Sequence, residues 1–385
     1  MPTATEAARS PLTWHAAGVG AVGSVLAVLV AVAAIGCGRD DGRRRPESTG
    51  DRSRSTSAVP VRTAGDLPVP RTEVAGTALG GQLVVVGGLD AQGRASDLVH
   101  FFDPATDRWQ PGPRLPRALH HVGMAALGDR VWVAGGYAGA AWTSQSQVFS
   151  LGDGESSWRE EPALHQARGA LALAASDGRL VALGGATRAG VTASVEVLVP
   201  GEEVWKSGPP LTQAREHLAA ASSGGRVYAI AGRLGSLESN LTSVESWDPQ
   251  AGGPWRPEPQ LIDARGGTSA AVVAGRVCVT GGEEPRGTIA SVECLSPGRW
   301  EGIARLTRPR HGLAVIGLGA TLHVVGGGPT PGLSVSGTHE VLDPPPKALP
   351  VPATPDEGRG DQPQRSGPAR SMSTRITTRR SRSMA

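Results

Sequence analysis

Six times along the chain a short apolar run stops at a pair of small residues. Val84-Val85-Val86 runs into Gly87-Gly88, Val131-Trp132-Val133-Ala134 into Gly135-Gly136, and Leu180-Val181-Ala182-Leu183 into Gly184-Gly185. The pattern continues with Val227-Tyr228-Ala229-Ile230 before Ala231-Gly232, Val277-Cys278-Val279-Thr280 before Gly281-Gly282, and Leu322-His323-Val324-Val325 before Gly326-Gly327. Successive pairs are 48, 49, 47, 50 and 45 residues apart. A second apolar stretch precedes each run, as in Gly169-Ala170-Leu171-Ala172-Leu173-Ala174. The two are separated by Gly128-Asp129, Asp177-Gly178 or Gly224-Gly225, pairs that supply the positive φ of tight hairpins.

Each unit then offers two more strands. One resembles Ser194-Val195-Glu196-Val197-Leu198; a polar turn such as Asp103-Pro104-Ala105-Thr106-Asp107 leads to the other, which holds a tryptophan. Trp109, Trp158, Trp205, Trp255 and Trp300 each lie six residues before a leucine, Leu115, Leu164, Leu211, Leu261 or Leu306. Four residues beyond comes Arg168, Arg215, Arg265 or Arg310, with Leu119 in the second repeat, and the glycine pair follows sixteen later. One buried strand per period near fifty predicts an array of small sheets, an all-β, six-bladed propeller with four antiparallel strands, a to d, per blade. Tryptophan would fill the space between sheets, and the glycines would let neighbouring backbone approach.

The sixth repeat lacks its last strand, because Pro344-Pro345-Pro346 stands where the tryptophan strand belongs and proline cannot donate to a ladder. The missing spacing appears upstream: Val61, Leu67 and Arg71 repeat the Trp–Leu–Arg intervals. Residues 59–64 are therefore predicted to form strand d of the last blade, closing the ring with an N-terminal strand.

The double glycine, the Phe102-Asp103-Pro104, Trp247-Asp248-Pro249 and Leu342-Asp343-Pro344 turns and the placed tryptophans resemble the kelch repeat, over about 285 of 385 residues. The departures are the scarcity of tyrosine and Ala231 in place of a glycine. The resemblance implies partner or substrate binding on the face that carries the loops after the glycine pairs.

Composition adds the termini. Residues 16–36 are uncharged and apolar enough to span a bilayer as a helix, and they end in Ala34-Ile35-Gly36-Cys37. That resembles the bacterial lipobox, which implies lipid attachment at Cys37 and an exported, membrane-anchored protein with residues 1–37 as signal. Arg39, Arg43, Arg44 and Arg45 leave an uncleaved single helix as the rival reading. Residues 38–57 read as a disordered linker, 58–343 as the propeller and 344–385 as a disordered Pro/Arg-rich tail. A net charge of +3 argues against a nucleic-acid surface. No CxxC, HExxH, nucleophile elbow or phosphate-binding loop occurs, so no cofactor, metal or catalytic residue is expected. A monomer with an unknown protein or glycan ligand is the expectation.

Two columns carry the candidate chemistry. Arg71, Arg168, Arg215, Arg265 and Arg310 should ring the channel mouth, with His120, His121, His217 and His311 beside them. A second column holds His100, Gln147, Glu196, Glu245, Glu293 and Glu340. Repeats three to six carry Arg with Glu, and repeat two has lost both, so Arg168–Glu196, Arg215–Glu245, Arg265–Glu293 and Arg310–Glu340 read as a structural ion-pair network. Arg71, offered only His100, is the arginine most open to a ligand. Tyr137 and Trp142 fall on the binding face. Ligand-binding candidates are thus Arg71, His100, His120, His121, Tyr137 and Trp142. Cys278 and Cys294 face each other across strands b and c and read as small core residues rather than a disulfide. The expected role is a binding module acting through the channel-mouth face. The alternative, resting on blade count and arginine content, is an enzyme resembling the exported kelch mutarotases of sugar acids, with Glu216 or His217 for acid–base work.

Overall fold

The computed structural model describes residues 58–346; Cys37, the 38–57 linker and the tail from residue 347 onward lie outside the described residues. The strands form six four-stranded antiparallel sheets arranged as a propeller. Blade one contains Ala75–Leu79, Gln82–Val86, Val99–Asp103 and Arg108–Pro111, and the same order repeats through blade five, Ser269–Val273, Arg276–Thr280, Ser291–Ser296 and Arg299–Arg305. Strand a starts later than its apolar stretch suggests. In blade three it begins at Ala172, because Gly169 and Ala170 already belong to the rim of the channel. Among the described residues no helix is long and apolar enough to cross a membrane.

The hydrophobic core is divided into six seams, one between each pair of neighbouring blades. Strand b explains this. Its side chains alternate between faces, and both faces are covered by other blades, so the strand must be apolar throughout. Val84 and Val86 enter the seam with blade two, while Leu83 and Val85 enter the seam with blade six, all fully buried. The tryptophans bridge the same seams further out. Indole Nε1 of Trp158, Trp205, Trp255 and Trp300 donates to the carbonyl of Pro113, Pro162, Pro209 and Pro259 in the preceding blade at 2.7–3.0 Å.

The glycine pairs do a different job. The second member donates its N–H to the carbonyl at the Arg position of the next blade: Gly88 to Leu119, Gly136 to Arg168, Gly185 to Arg215, Gly232 to Arg265, Gly282 to Arg310 and Gly327 to Arg71, at 2.8–2.9 Å. The first member has φ between +56 and +72, and a Cβ at Gly184 would stand 2.5 Å from the Arg215 carbonyl oxygen. Both demands select glycine. Ala231 holds the same left-handed conformation, φ +57, without that freedom.

The ring closes as the displaced spacing predicts. Arg62–Thr63 pairs antiparallel with His339–Leu342, in the register Arg62↔Val341 and Thr63↔Glu340. The ladder is shorter than residues 59–64, but flanking bonds extend it: Ala64 N–H donates to His339 O at 3.0 Å and Leu67 N–H to Gly337 O at 2.7 Å. Val59 and Val61 pack into the seam of blades five and six, and Leu67 is buried in the seam of blades six and one. The cysteines differ from expectation. Cys278 and Cys294 sit directly opposite in register, fully buried, and are joined as a disulfide. Both are core residues as well, so the bond crosslinks strands b and c inside an already packed seam.

A histidine pair sits on the closing strand. His323 Nδ1 lies 2.9 Å from His339 Nε2, and His339 Nδ1 lies 3.1 Å from the Gly65 carbonyl. The carbonyl requires a donor, so His339 carries its proton on Nδ1 and accepts from His323 on Nε2; both rings are neutral. Burial pushes His323 down to about 4, helped by the Arg62 charge, and pushes His339 to about 4, helped by His323.

Two outcomes follow for stability. Deleting residues 58–66 removes two partly buried valines and the closing ladder, and should cost about 2–4 kcal/mol, or roughly 5–10 °C in melting temperature; a truncated chain melting like the parent would contradict the closure. The histidine pair binds fewer protons folded than unfolded, so stability should be complete above about pH 6.5 and should fall as pH drops toward 4, by up to about 1.4 kcal/mol per pH unit per ring. Replacing His323 with valine, the type at the matching Val84 and Val181 positions, should flatten that slope in urea melts taken between pH 4 and 7.

Candidate functional site

The arginine column does not line the channel. Arg71, Arg168, Arg215, Arg265 and Arg310 are 0–1 % exposed, folded back between strands b and c of their own blades. Each NH1 donates to the carbonyl sixteen residues on, at Gly87, Gly184, Ala231, Gly281 or Gly326. The other guanidinium nitrogen meets the carboxylate column. Arg168–Glu196 and Arg215–Glu245 are both 3.0 Å apart, Arg310–Glu340 is 2.6 Å, and Arg265 pairs with Glu293. Each glutamate also accepts a backbone N–H, from His165, Thr212, Ile262 or Thr307.

Blade one departs from this scheme without exposing its arginine. Arg71 NH1 donates to the Gly87 carbonyl and, at 3.0 Å, to Leu98 O, while NH2 lies 3.0 Å from His100 Nδ1. Burial holds Arg71 down at about 10, with Asp97 pulling the other way. It brings His100 to about 4, with the Arg71 charge adding to the effect, so the imidazole is a neutral acceptor. Neither residue presents a free group to a ligand. In blade two Gln147 lies twelve residues beyond Gly135, the interval of blades three and five, whereas this blade has the fourteen-residue interval of blades four and six, so Gln147 does not occupy the carboxylate place. The register puts Phe149 opposite Val133, where Glu196 stands opposite Ala182. Leu119 and Phe149 lie in one core cluster, so blade two replaces the buried ion pair with an apolar pair.

The residues that ring the mouth lie two positions beyond the arginine column: Glu73, His121, Ala170, His217, Gly267 and Gly312, one per blade. All six have φ between +51 and +66, the same left-handed backbone. They are hydrogen-bonded head to tail. His121 N–H donates to Glu73 O, Ala170 to His121, His217 to Ala170, Gly267 to His217 and Gly312 to Gly267, at 2.8–3.2 Å; Val74 N–H closes the circle on Gly312 O. Glycine fits this conformation freely, whereas a side chain there costs roughly 1–2 kcal/mol. Glu73, His121 and His217 are held against that cost, a signature of functional positions.

Two further columns complete the mouth. The residue before each ring position contributes Thr72, His120, Glu216 and His311, and the residue after each glycine pair contributes Leu89, Tyr137, Arg233 and Glu283. Blade three offers only Gly169, Ala170 and Ala186, and the Tyr137 ring fills the space above Gly169. The polar groups interlock. Glu73 faces His121 Nε2 at 3.2 Å and His311 Nε2 at 3.5 Å. Arg233 donates to Glu216 at 2.7 Å, to Glu283 at 2.8 Å and to His217 Nε2 at 3.1 Å. His217 Nδ1 contacts Glu216, and His120 Nδ1 contacts His121 Nδ1, leaving buried His120 Nε2 without a partner.

The electrostatics follow from these contacts. Burial drives His120 down to about 4 and His121 well below the usual range, with the His217 charge adding to both. Burial works to raise Glu216, but the bond from His217 and the Arg233 charge outweigh it and hold the carboxyl below its ordinary value. Glu283 is likewise held down against burial, by His311 and Arg233 among others. Burial lifts the Tyr137 hydroxyl to about 12. Trp142, at φ +49 and 46 % exposed, stands edge-on to His120 at 4.6 Å between ring centres. A cavity of about 360 Å³ opens here, bordered by Trp142, Leu89 and Leu333 over Glu73, His121, His217 and Arg233.

Of the candidate residues, the structure brings His120, His121, Tyr137 and Trp142 together at the mouth and leaves Arg71 and His100 buried inside blade one. Glu73, Arg233 and Glu283 were missed. The constant offsets would have found them: they stand two residues after the arginine or one after the glycine pair.

A family model described as the kelch motif matches residues 70–116 and 214–261. Kelch-like protein 35 of Mus musculus is 32% identical over 131 residues, 33% of this chain and 21% of that protein. Kelch-like protein 34 of Homo sapiens is 39% identical over 97 residues, 24% of this chain and 15% of that protein. The chain thus spans 15–21% of the length of these curated relatives. Among solved structures, that of YjhT superposes with a TM-score of 0.62 at 14% identity, covering 72% of this chain and 95% of that one, a likeness of fold.

The apolar pair of blade two supplies a test of the ion-pair column. Glu196→Phe alone strands Arg168 as a buried charge and should cost about 3–5 kcal/mol. Adding Arg168→Leu, which recreates the Leu119–Phe149 arrangement, should recover at least about 2 kcal/mol in a double-mutant cycle read by urea unfolding. Additive losses would show that the two positions do not depend on each other.

Proposed function

We propose that this chain, a kelch-repeat β-propeller, is an exported, membrane-tethered binding module that takes a neutral glycan unit at its channel mouth. The observation that carries the reading is the mouth itself: a cavity of about 360 Å³ floored by interlocked carboxylates and imidazoles and flanked by the half-exposed Trp142. An indole face packs against the apolar face of a sugar ring, while carboxylates and imidazoles accept and donate to its hydroxyls. The N-terminal apolar segment ending at Cys37 supports the tether.

Charge separates this from the sugar-acid alternative. Acid–base groups are at hand in His120, His121 and Glu73, which is what favours a mutarotase. A sugar carboxylate, however, needs a free cation. Arg233 is the cation at the mouth, and it is already spanned by Glu216 and Glu283. With three carboxylates against one guanidinium, the mouth repels an acid.

Immobilised neutral oligosaccharides should retain the purified chain, and Trp142→Ala should weaken retention about tenfold or more. Retention equal to that of the parent, or no retention of any neutral oligosaccharide, would overturn the reading. Accelerated anomer exchange of N-acetylneuraminic acid, followed by proton NMR, would decide for the enzyme instead.

A further inference from the structure

We propose that the channel mouth binds a divalent transition-metal cation through Glu73, His121 and His217. The three residues come from blades one, two and four, each at the same ring position, and each offers a ligand atom within 4.8 Å of the others. Their backbones are fixed by the hydrogen-bonded ring of left-handed residues, so the donors are positioned before any ion arrives.

The neighbours of these residues are those a metal site requires. A ligating imidazole is held through its other nitrogen. His217 has Nδ1 against the Glu216 carboxylate, which directs Nε2 inward. His121 has Nδ1 against His120 Nδ1, which directs its Nε2 toward Glu73. His311 gives Nδ1–H to the Gly328 carbonyl, which leaves its Nε2 aimed at the same space, 3.5 Å from Glu73 and 3.7 Å from Glu283.

Without metal, His121 donates Nε2–H to Glu73 and accepts from His120 Nδ1–H. With metal, each ring moves its proton to the other nitrogen: His121 presents the Nε2 lone pair and donates Nδ1–H to His120, whose proton sits on Nε2. That nitrogen is the one without a partner, so the exchange breaks no other bond. Both rings stay neutral and no net proton is released.

The charges also balance. Glu73, Glu216 and Glu283 face one guanidinium, that of Arg233, leaving two negative charges for a divalent ion. On binding, Arg233 gives up its 3.1 Å bond to His217 Nε2 and keeps both carboxylates. Two imidazoles and one carboxylate favour zinc, nickel, copper or ferrous iron over calcium and magnesium, which take oxygen sets. The ligands come from three different blades, so no single short motif announces them and only the repeat offsets align them.

Titration of the purified full chain with Co²⁺, followed by its visible d–d absorption, tests the site. One equivalent should bind, zinc should displace it, and magnesium should not. Glu73→Gly, His121→Gly and His217→Gly should each weaken binding by roughly tenfold or more, and the triple variant should abolish the band. These variants keep the fold, because Gly267 and Gly312 already occupy the same place, and should melt at or above the parent. Exposed His165→Gln should change nothing. Absence of the band at millimolar Co²⁺, or a band that survives in the triple glycine variant, overturns the proposal. Co²⁺ titration needs no glycan, and glycan retention can be read with the metal chelated, so loss of the glycan reading and loss of the metal site are distinguishable.

Discussion

Blade-to-blade hydrogen bonds at the second glycine of each pair hold the inner end of this molecule together. Six N–H groups, from Gly88 round to Gly327, each reach the carbonyl at the Arg position of the following blade. Sheets alone could not enforce this, because strand ladders satisfy only partners within a blade. The close approach crowds a Cβ at the first member, where five blades of the six carry glycine, and the arginine side chain then ties the carbonyl of that residue to strand c. The repeated Arg–sixteen–Gly interval is therefore one device: the main chain of the arginine fastens the preceding blade, and its side chain fastens its own.

That device determines where chemistry can sit. The arginine is consumed by the framework, and a charge so placed must be matched by a carboxylate, by carbonyls and a neutral histidine as in blade one, or be removed altogether as in blade two. The chain leaves the framework two residues later, in a left-handed turn that points one side chain per blade toward the axis. The ring of carbonyl and amide bonds there uses main-chain groups alone, so glycine and alanine serve in three blades and Glu73, His121 and His217, at a cost, in the others.

Much of the architecture was legible because it is written in offsets. The glycine pairs, the tryptophan–leucine interval and the Val61–Leu67–Arg71 echo implied six blades and the strand that closes them. What failed failed where loops change length. Gln147 matched the carboxylate column at the twelve-residue interval of blades three and five, but blade two has the fourteen-residue interval of blades four and six, which brings Phe149 there. The arginines were placed at the mouth because strand a is innermost; the strand begins after them, and the turn between carries other residues to the axis. Cys278 and Cys294 were correctly set opposite, but facing positions alone do not distinguish a thiol pair from a bond.

The site was less legible than the fold for a related reason. A motif signals chemistry when its residues are close in sequence, as in a helix or a tight loop. Here neighbours in space come from different blades, so Glu73 meets His121 and His311 across separations of 48 and 238 residues. Repetition supplies the substitute for a motif. Once the blades are aligned, the position two beyond the arginine shows glycine or alanine where the backbone alone decides, and histidine or glutamate where something else does. A residue that departs from glycine in a left-handed turn, at a cost in stability, and does so beside others that do the same, is the signal from which we propose that this propeller meets its ligand at the axis.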